Sequence, residues 1–505
     1  MRGWMRWLRA RGAYTGWVLL AAGALASCGG GGDNPAAGPA PVAAPTQPLQ
    51  ASTGPARIEP YERVTTQAQR RASPTQALSV VPPTVAIQLG AEPPQFVQAK
   101  AAAIERPPQA AIARQIGAAR SVAALATPAD TARALAWQPT AAGGLAASAS
   151  FRSDGAAGLR LGLQVERLPA SAQVRVRPAG SMAADTVLGE EILATLARNR
   201  ASGDVSHDGR TYWLPAVAGD TLTLEIELPA GTDPAQVQVA VPRLSHLWWT
   251  HEAVARANEL KFGEAGACNA DATCSPEYAF ESRAIARMEY VRGGSAFLCT
   301  GTLMADTLAS GTPYFLGANH CVDDQTTAST LSTYWFYRSA ACNSNTLDPA
   351  ATRVTGGATL LHVSATTDTS FMVLRGSPPA GAVHAGSLLS APALGTALAG
   401  LHHPAGDLLK LSLGTNPAYA RCEGTRCTGD DLDASNFLVL RWTRGTTESG
   451  SSGSPVFAGV GARRYVVGQL FAGSASCTRP DANDYYGRFD KAYSVLRTWL
   501  GIPGG

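Results

Sequence analysis

Gly450-Ser451-Ser452-Gly453-Ser454-Pro455 decides how the last half of this chain is read. Glycines on both sides of Ser452 let the backbone aim its N–H groups at one point, where the serine offers a hydroxyl. A hydroxyl is a poor nucleophile near neutral pH, so such a site needs a base within reach. Two earlier strings supply partners. Gly317-Ala318-Asn319-His320-Cys321 brings an imidazole, and Thr366-Thr367-Asp368-Thr369-Ser370 brings a carboxylate that can fix its tautomer. Alone, each string is commonplace: a Gly-Ser run is ordinarily a loop, and Thr-Asp-x-Ser a turn or strand edge. Their order carries more. In an α/β hydrolase the nucleophile follows a strand in Gly-x-Ser-x-Gly and the histidine comes last. Here the histidine comes first and the serine last, which selects paired β-barrels with the site in the cleft between them. The chemistry implied is acyl transfer through a covalent intermediate.

The flanking sequence agrees with that fold class. Residues 263–505 hold short apolar β runs at 284–291, 296–304, 333–337, 371–374, 437–442 and 465–471, separated by Gly, Ser, Thr and Asn. Arg292-Gly293-Gly294-Ser295 reads as a hairpin turn. Helical spacing returns only in 492–500, so the expectation is a mainly β unit closed by one C-terminal helix.

Outward from this unit, the chain changes character. Residues 135–250 alternate at period two, as in Leu222-Thr223-Leu224-Glu225-Ile226-Glu227-Leu228, and read as a small β-sandwich-like domain. Residues 29–134 are rich in Ala, Pro, Gln and Gly and read as a disordered linker with helical fragments such as 109–125. Residues 1–28 carry Arg2, Arg6, Arg9 and Arg11 before an apolar run at 17–26, the pattern of an export signal. It ends in Leu25-Ala26-Ser27-Cys28-Gly29, a lipobox-like string in which Cys28 would become the lipidated first residue; ordinary cleavage after Ala26 is the alternative. The expected location is therefore outside the cytoplasm, on a bacterial outer membrane or cell surface, with release of a secreted form also open.

Nine cysteines are odd for an oxidising compartment, but lipidation of Cys28 leaves eight, all between Cys268 and Cys477. Spacing alone cannot pair them. No Cys-x-x-Cys or His-Glu-x-x-His string occurs, so no metal and no cofactor is expected. His402-His403 invites a metal reading, yet neighbours on a strand point to opposite faces, so packing is the better account. Trp335 and Trp442 read as core aromatics. With 16% charged residues and a net charge of +3, the composition argues against a nucleic-acid partner.

The stretch 263–500 resembles the bacterial lysyl endopeptidases, a trypsin-fold branch of the serine proteases. The likeness runs through Gly266-Ala267-Cys268-Asn269, Cys299-Thr300-Gly301, Pro313-Tyr314-Phe315-Leu316, Tyr334-Trp335-Phe336-Tyr337, His402-His403-Pro404, Thr447-Glu448, Gly468-Gln469-Leu470 and Tyr486-Gly487-Arg488. The resemblance implies His320 as general base, Asp368 as orienting acid, Ser452 as nucleophile, and Gly450 and Ser452 N–H groups as the oxyanion hole. It further implies disulfides Cys268–Cys477, Cys274–Cys342 and Cys299–Cys321, leaving Cys422 and Cys427 to pair. Asp484 would floor the pocket for a Lys or Arg before the scissile bond, and Phe471, Ala472 and Gly473 would offer backbone bonds to an extended substrate. Three departures stand out. Phe471 replaces a family histidine, Ala472 replaces the glycine after it, and that histidine's tryptophan partner has no counterpart between Ser412 and Leu440. A basic preference follows, but strict lysine specificity does not. Ser451 also lacks the charge with which digestive relatives bind a new amino terminus, so activation should not need a buried terminal ion pair. Residues 251–262 form the expected processing junction, with Lys261 a site for self-cleavage.

The leading expectation is an exported, monomeric serine endopeptidase acting on proteins or peptides after basic residues. A surface adhesion or binding protein with a vestigial protease domain, or an esterase using the same triad, are the alternatives.

Overall fold

The computed structural model describes residues 57–63, 81–91, 94, 96–98, 113–250, 265–424 and 426–501, all within one compact unit spanning Gly54–Gly505. Cys28 and the 251–262 junction lie outside the described residues.

The C-terminal half is built from two β-barrels. In the first, strands follow the order Thr352–Val354, Ser332–Trp335, Ile285–Arg292, Ser295–Met304, Tyr314–Ala318, Thr369–Leu374, Ala358–Ser364. Gly293 and Gly294 both take positive φ, 57° and 84°, in the hairpin between Ile285–Arg292 and Ser295–Met304. A side chain would be strained at both, which explains the Gly-Gly pair. In the second barrel, Arg463–Gly473, Pro455–Val460, Ala397–His402, Lys410–Glu423, Phe437–Arg444 and Asn483–Arg488 pair in sequence. The last strand pairs back onto Arg463–Gly473 and closes the ring. The helix Phe489–Leu500 buries Phe489, Ala492, Leu496 and Leu500 on one face, the 3/4 spacing expected of an amphipathic helix. It begins three residues earlier than the sequence pattern indicated.

Residues 117–247 supply most of a two-sheet sandwich. One sheet runs Asp185–Leu188, Gln173–Pro178, Thr221–Leu228, Leu145–Arg152, Val85–Gln88; the other runs Thr211–Trp213, Gly158–Arg167, Gln238–Leu247, Gly117–Ser121. Leu222, Leu224, Ile226 and Leu228 all face the core between the sheets, so period-two alternation placed that strand correctly. Glu225 and Glu227 point the other way and meet Arg175 at 2.8 and 2.5 Å. The mainly β expectation holds, with helices at Pro128–Ala134 and Gly189–Ala201 added to the N-terminal half.

The linker reading of 29–134 requires correction. Arg57–Ile58 pairs with Ser387–Leu388, and Tyr61–Glu62 pairs with Val383–His384, so this stretch straps the C-terminal half. Ile58 is buried there, and Tyr61 stacks on His384 with ring centroids 4.4 Å apart. Two-residue strands carry no periodic signal, and their partners lie more than three hundred residues away. The helical reading of 109–125 is also corrected where it is described. Arg114–Gln115 and Gly117–Ser121 are strands, followed by a 3-10 turn at Ala123–Leu125. Alanine favours helix, but pairing of Gly117–Ser121 with Gln238–Leu247 outweighs that weak preference.

Candidate active site

His320 follows the strand Tyr314–Ala318, and Asp368 precedes its neighbour Thr369–Leu374, so antiparallel pairing of those strands brings the two together. Asp368 holds His320 at two points. Its Oδ2 lies 2.7 Å from His320 Nδ1, and its Oδ1 accepts the His320 backbone N–H at 2.9 Å. Asp368 has φ +50°, a left-handed conformation that Asp tolerates better than most residues. Its carbonyl accepts the Asn319 N–H at 2.9 Å. Burial raises the Asp368 carboxyl above its ordinary value, and the His320 ring and backbone N–H oppose that rise.

The second barrel braces this pair from behind. Gln469 Nε2 donates to Thr367 O at 2.7 Å and to Thr369 Oγ1 at 3.1 Å, gripping the chain on both sides of Asp368. A Cβ at Gly487 would sit 1.9 Å from Thr367 O and 2.5 Å from Gln469 Nε2, so only glycine fits there. The sequence contained both residues, in Gly468-Gln469-Leu470 and Tyr486-Gly487-Arg488, but nothing local revealed what they touch.

Ser452 lies on the loop before Pro455–Val460. Its carbonyl accepts the Thr300 N–H at 2.8 Å, and Thr300 Oγ1 donates to Gly450 O at 2.9 Å, so the first barrel anchors the loop. Gly450 has φ +94°, and a Cβ there would press on Gly406 N and His403 O at 3.1 Å. Ser451 and Gly453 N–H groups are committed to Glu448 O and Leu470 O. Gly450 and Ser452 N–H find no acceptor among the described residues, the condition needed to receive an oxyanion. His320 Nε2 and Ser452 Oγ are likewise without hydrogen-bond partners among the described residues, and both are sealed from solvent. The Cys299–Cys321 disulfide ties the residue after His320 to the strand that holds the loop, closing a 22-residue separation. Loop entropy alone assigns such a link about 3 kcal/mol. Cys268–Cys477, Cys274–Cys342 and Cys422–Cys427 are bonded as well, so all eight cysteines after Cys28 are used. Cys299, His320 and Cys321 cluster closely enough for a metal, but both sulfurs belong to the disulfide.

Ser451 is held by a neutral network. Ser412 Oγ donates to Thr446 O at 2.8 Å, so it accepts from His402 Nε2, 2.9 Å away. His402 Nδ1 is then left to accept from Ser451 Oγ at 2.9 Å, and Ser451 Oγ accepts the Glu448 N–H at 3.3 Å. Burial pushes the His402 imidazole down to about 3, in keeping with a neutral ring. His402 thus does more than pack, whereas its neighbour His403 bonds Asp407 O on the other side. Glu448 in turn accepts from Gly266 N–H and Asn269 Nδ2 at 3.0 and 3.1 Å, fastening the start of the C-terminal half to the Ser452 loop. His402→Ala is expected to lower kcat about tenfold with KM nearly unchanged, the equivalent of one orphaned buried hydrogen bond. Steady-state kinetics on a peptide amide check this, and an equal rise in KM would point to lost substrate binding instead.

Asp484 lies on Asn483–Arg488 at 0% exposure, with three neutral donors around it. Trp442 Nε1 at 2.6 Å and Thr447 Oγ1 at 2.7 Å bond Oδ2, and Ala475 N–H bonds Oδ1 at 3.2 Å. Burial pushes its carboxyl up to about 6, the three donors pull against that, and no cation among the described residues takes part. Trp442, read above as core, therefore also orients this carboxylate. Phe471 sits edge-on to His320, with centroids 6.2 Å apart, and tilts against Phe437 at 4.9 Å. Phe437 thus supplies an aromatic neighbour for Phe471 from the stretch that lacks a tryptophan. Ala472 and Gly473 pair with Tyr485 and Asp484, placing that strand end against the same carboxylate.

Residues 262–487 match the family of the lysyl endopeptidase C-terminal domain, and residues 88–248 match that of the lysyl endopeptidase N-terminal domain. Among solved structures, the active form of the Rv3671c protease from M. tuberculosis covers 47% of this chain and 91% of its own. It is 14% identical, with a TM-score of 0.32. Its inactive form covers 46% of this chain and 98% of its own, at 14% identity and TM-score 0.29. A lysyl endopeptidase from Pseudomonas aeruginosa is 31% identical over 502 residues, covering 96% of this chain and 97% of that protein. Two domain matches in the right order, joined by a relative that spans nearly the whole length, leave one assignment: this chain belongs to the lysyl endopeptidase family of serine endopeptidases.

Proposed function

We propose that this serine endopeptidase cleaves after basic residues, with His320 as base, Asp368 as its orienting acid and Ser452 as nucleophile. The observation that carries the triad is the two-point grip of Asp368 on His320, with His320 Nε2 and Ser452 Oγ left uncommitted. In the first step His320 Nε2 takes the Ser452 proton as Oγ attacks the scissile carbonyl. Gly450 and Ser452 N–H groups receive the oxyanion, and His320 returns the proton to the leaving amine. Water then repeats the sequence on the acyl-enzyme. Stoichiometric labelling of Ser452 by an organofluorophosphonate tests the assignment; modification elsewhere, or none after processing, refutes it.

Asp484 supports the basic preference. A buried carboxylate satisfied only by neutral donors remains uncompensated in charge, and a Lys or Arg side chain supplies the missing cation. Asp484→Asn is expected to cut kcat/KM on basic substrates by roughly 10²–10³-fold and to spare apolar ones. Protons compete with the substrate cation for this carboxylate. As pH falls through about 6, Asp484 in the empty site becomes neutral, so KM for basic substrates should rise. Fragment ends from one digested denatured protein, compared between the two chains, check the preference. Equal losses on basic and apolar sites would remove Asp484 from the pocket.

Export with a lipid anchor at Cys28 is part of the same reading. The other eight cysteines are consumed in disulfides, which leaves Cys28 without an intrachain partner of its own kind. Cys28→Ser should shift the protein from the membrane fraction to the soluble one, and unchanged recovery in membranes would refute lipidation.

A further inference from the structure

Two short strands, Arg57–Ile58 and Tyr61–Glu62, lie outside both matched domains and pair with Ser387–Leu388 and Val383–His384. The first of them extends the second barrel's sheet, because Ser387–Leu388 is itself the neighbour of Arg463–Gly473. Side chains secure what the backbone begins. Ile58, 1% exposed, enters a core cluster with Leu316 and Phe371 of the first barrel, Phe457 of the second and Phe489 of the C-terminal helix. Tyr61 stacks on His384, and its hydroxyl accepts the Gly311 N–H at 2.9 Å. Glu59 accepts from Arg463 at 3.1 Å and from the Tyr465 hydroxyl at 2.8 Å, and Glu62 pairs with Arg283 at 2.9 Å. These partners all belong to the C-terminal half. The ion pairs are exposed and contribute little, so the strand pairing and the buried Ile58 carry most of the fit.

The groove is shaped around this strap. Gly386, between the two receiving strands, does not take a positive φ, so its backbone makes no demand for glycine. Its surroundings do. A Cβ there would lie 2.4 Å from Ile58 O and 2.7 Å from both the ring N and Cδ of Pro60, all atoms of the strap. Glycine at 386 therefore makes room for residues 58–60. Pro60 has no N–H to satisfy and suits the bend between the two short strands. Past the strap, residues 64–80 lead to Val81, whose N–H donates to Glu225 of the sandwich at 3.3 Å. The strap thus grips the C-terminal half through contacts that the sandwich does not supply.

We propose that the groove along 383–388 is a strand-docking site whose occupant is residues 57–62, and that it keeps the amino-terminal segment bound when the chain is cut on both sides of the sandwich. The product is a two-chain molecule in which the segment after Cys28 and the C-terminal half stay together without a peptide bond between them. Retention itself needs neither a lipid nor the triad. Only its consequence, a protease kept at the membrane once the sandwich has gone, rests on the anchor reading above.

The full-length Ser452→Ala chain tests retention without self-digestion. Recognition sequences for an unrelated site-specific protease are placed within 64–80 and within 251–262, and both are cut. In gel filtration the amino-terminal fragment should travel with the C-terminal half. Adding Gly386→Ala, whose methyl meets strap atoms first, should weaken that association at least about tenfold. An amino-terminal fragment that elutes free of the parent's C-terminal half would overturn the proposal, as would one held equally well by the Gly386→Ala chain. Should Gly386→Ala fail to fold, Ile58→Ala, which alters the strap alone, decides. It should weaken the association at least about tenfold, and unchanged retention overturns the proposal. Membrane fractionation of Cys28→Ser answers the anchor question separately, so failure of one reading is not mistaken for failure of the other.

Discussion

Ser452→Ala is expected to lower kcat by about 10⁶-fold while leaving KM and Tm close to those of the parent chain. The size of the effect follows from how little else the hydroxyl does. Ser452 Oγ has no hydrogen-bond partner among the described residues, so its removal orphans nothing. The Ser452 carbonyl keeps its bond from Thr300 N–H, which holds the loop in place. The Gly450 and Ser452 N–H groups remain to bind a developing oxyanion, which leaves a residual rate of about 10³–10⁴-fold over water. Turnover of a peptide amide by the processed variant measures this. Activity within tenfold of the parent would mean that another group is the nucleophile.

Asp368→Asn should cost about 10⁴-fold in kcat, and here the geometry supplies the reason. Asp368 faces two donors at once, the His320 backbone N–H and the ring Nδ1–H. An amide has one acceptor and one donor end. If its oxygen stays on the backbone N–H, its NH₂ meets Nδ1 and drives the ring proton to Nε2, where it blocks acceptance from Ser452. If it flips, the NH₂ opposes the backbone N–H and the grip is lost. Asn tolerates the left-handed backbone of this position as well as Asp does, so the fold should survive. A kcat loss below tenfold with an unchanged pH–rate profile would show that Asp368 does not set the tautomer. A large fall in Tm instead would assign it a structural role.

The His402 network bears on how the site is assembled. In place of a charged residue waiting for a new amino terminus, Ser451 is tied to a buried neutral imidazole, and Glu448 to the Gly266 and Asn269 N–H groups. No ion pair among the described residues sets the Ser452 loop.

The sequence alone determined what local context can encode. The glycines around Ser452, the order of His320, Asp368 and Ser452, and the alternation of 222–228 each act within a few residues, and their consequences were legible directly. Asp484 was singled out only through the family resemblance, because nothing in its local context separates it from a loop aspartate such as Asp481. Only the tertiary structure decided which distant groups complete them: Gln469 behind Asp368, His402 beneath Ser451, Phe437 against Phe471, and Arg114 paired with Leu298. These are single contacts between segments tens to hundreds of residues apart. They leave no periodicity and no turn signal, and chain closure alone determines which of many compatible partners meet. The Ala-rich stretch before Arg120 makes the point most sharply. Its intrinsic preference is helical, yet the strand edge at Phe297–Leu298 and another in the sandwich offer it hydrogen bonds that only a strand can accept.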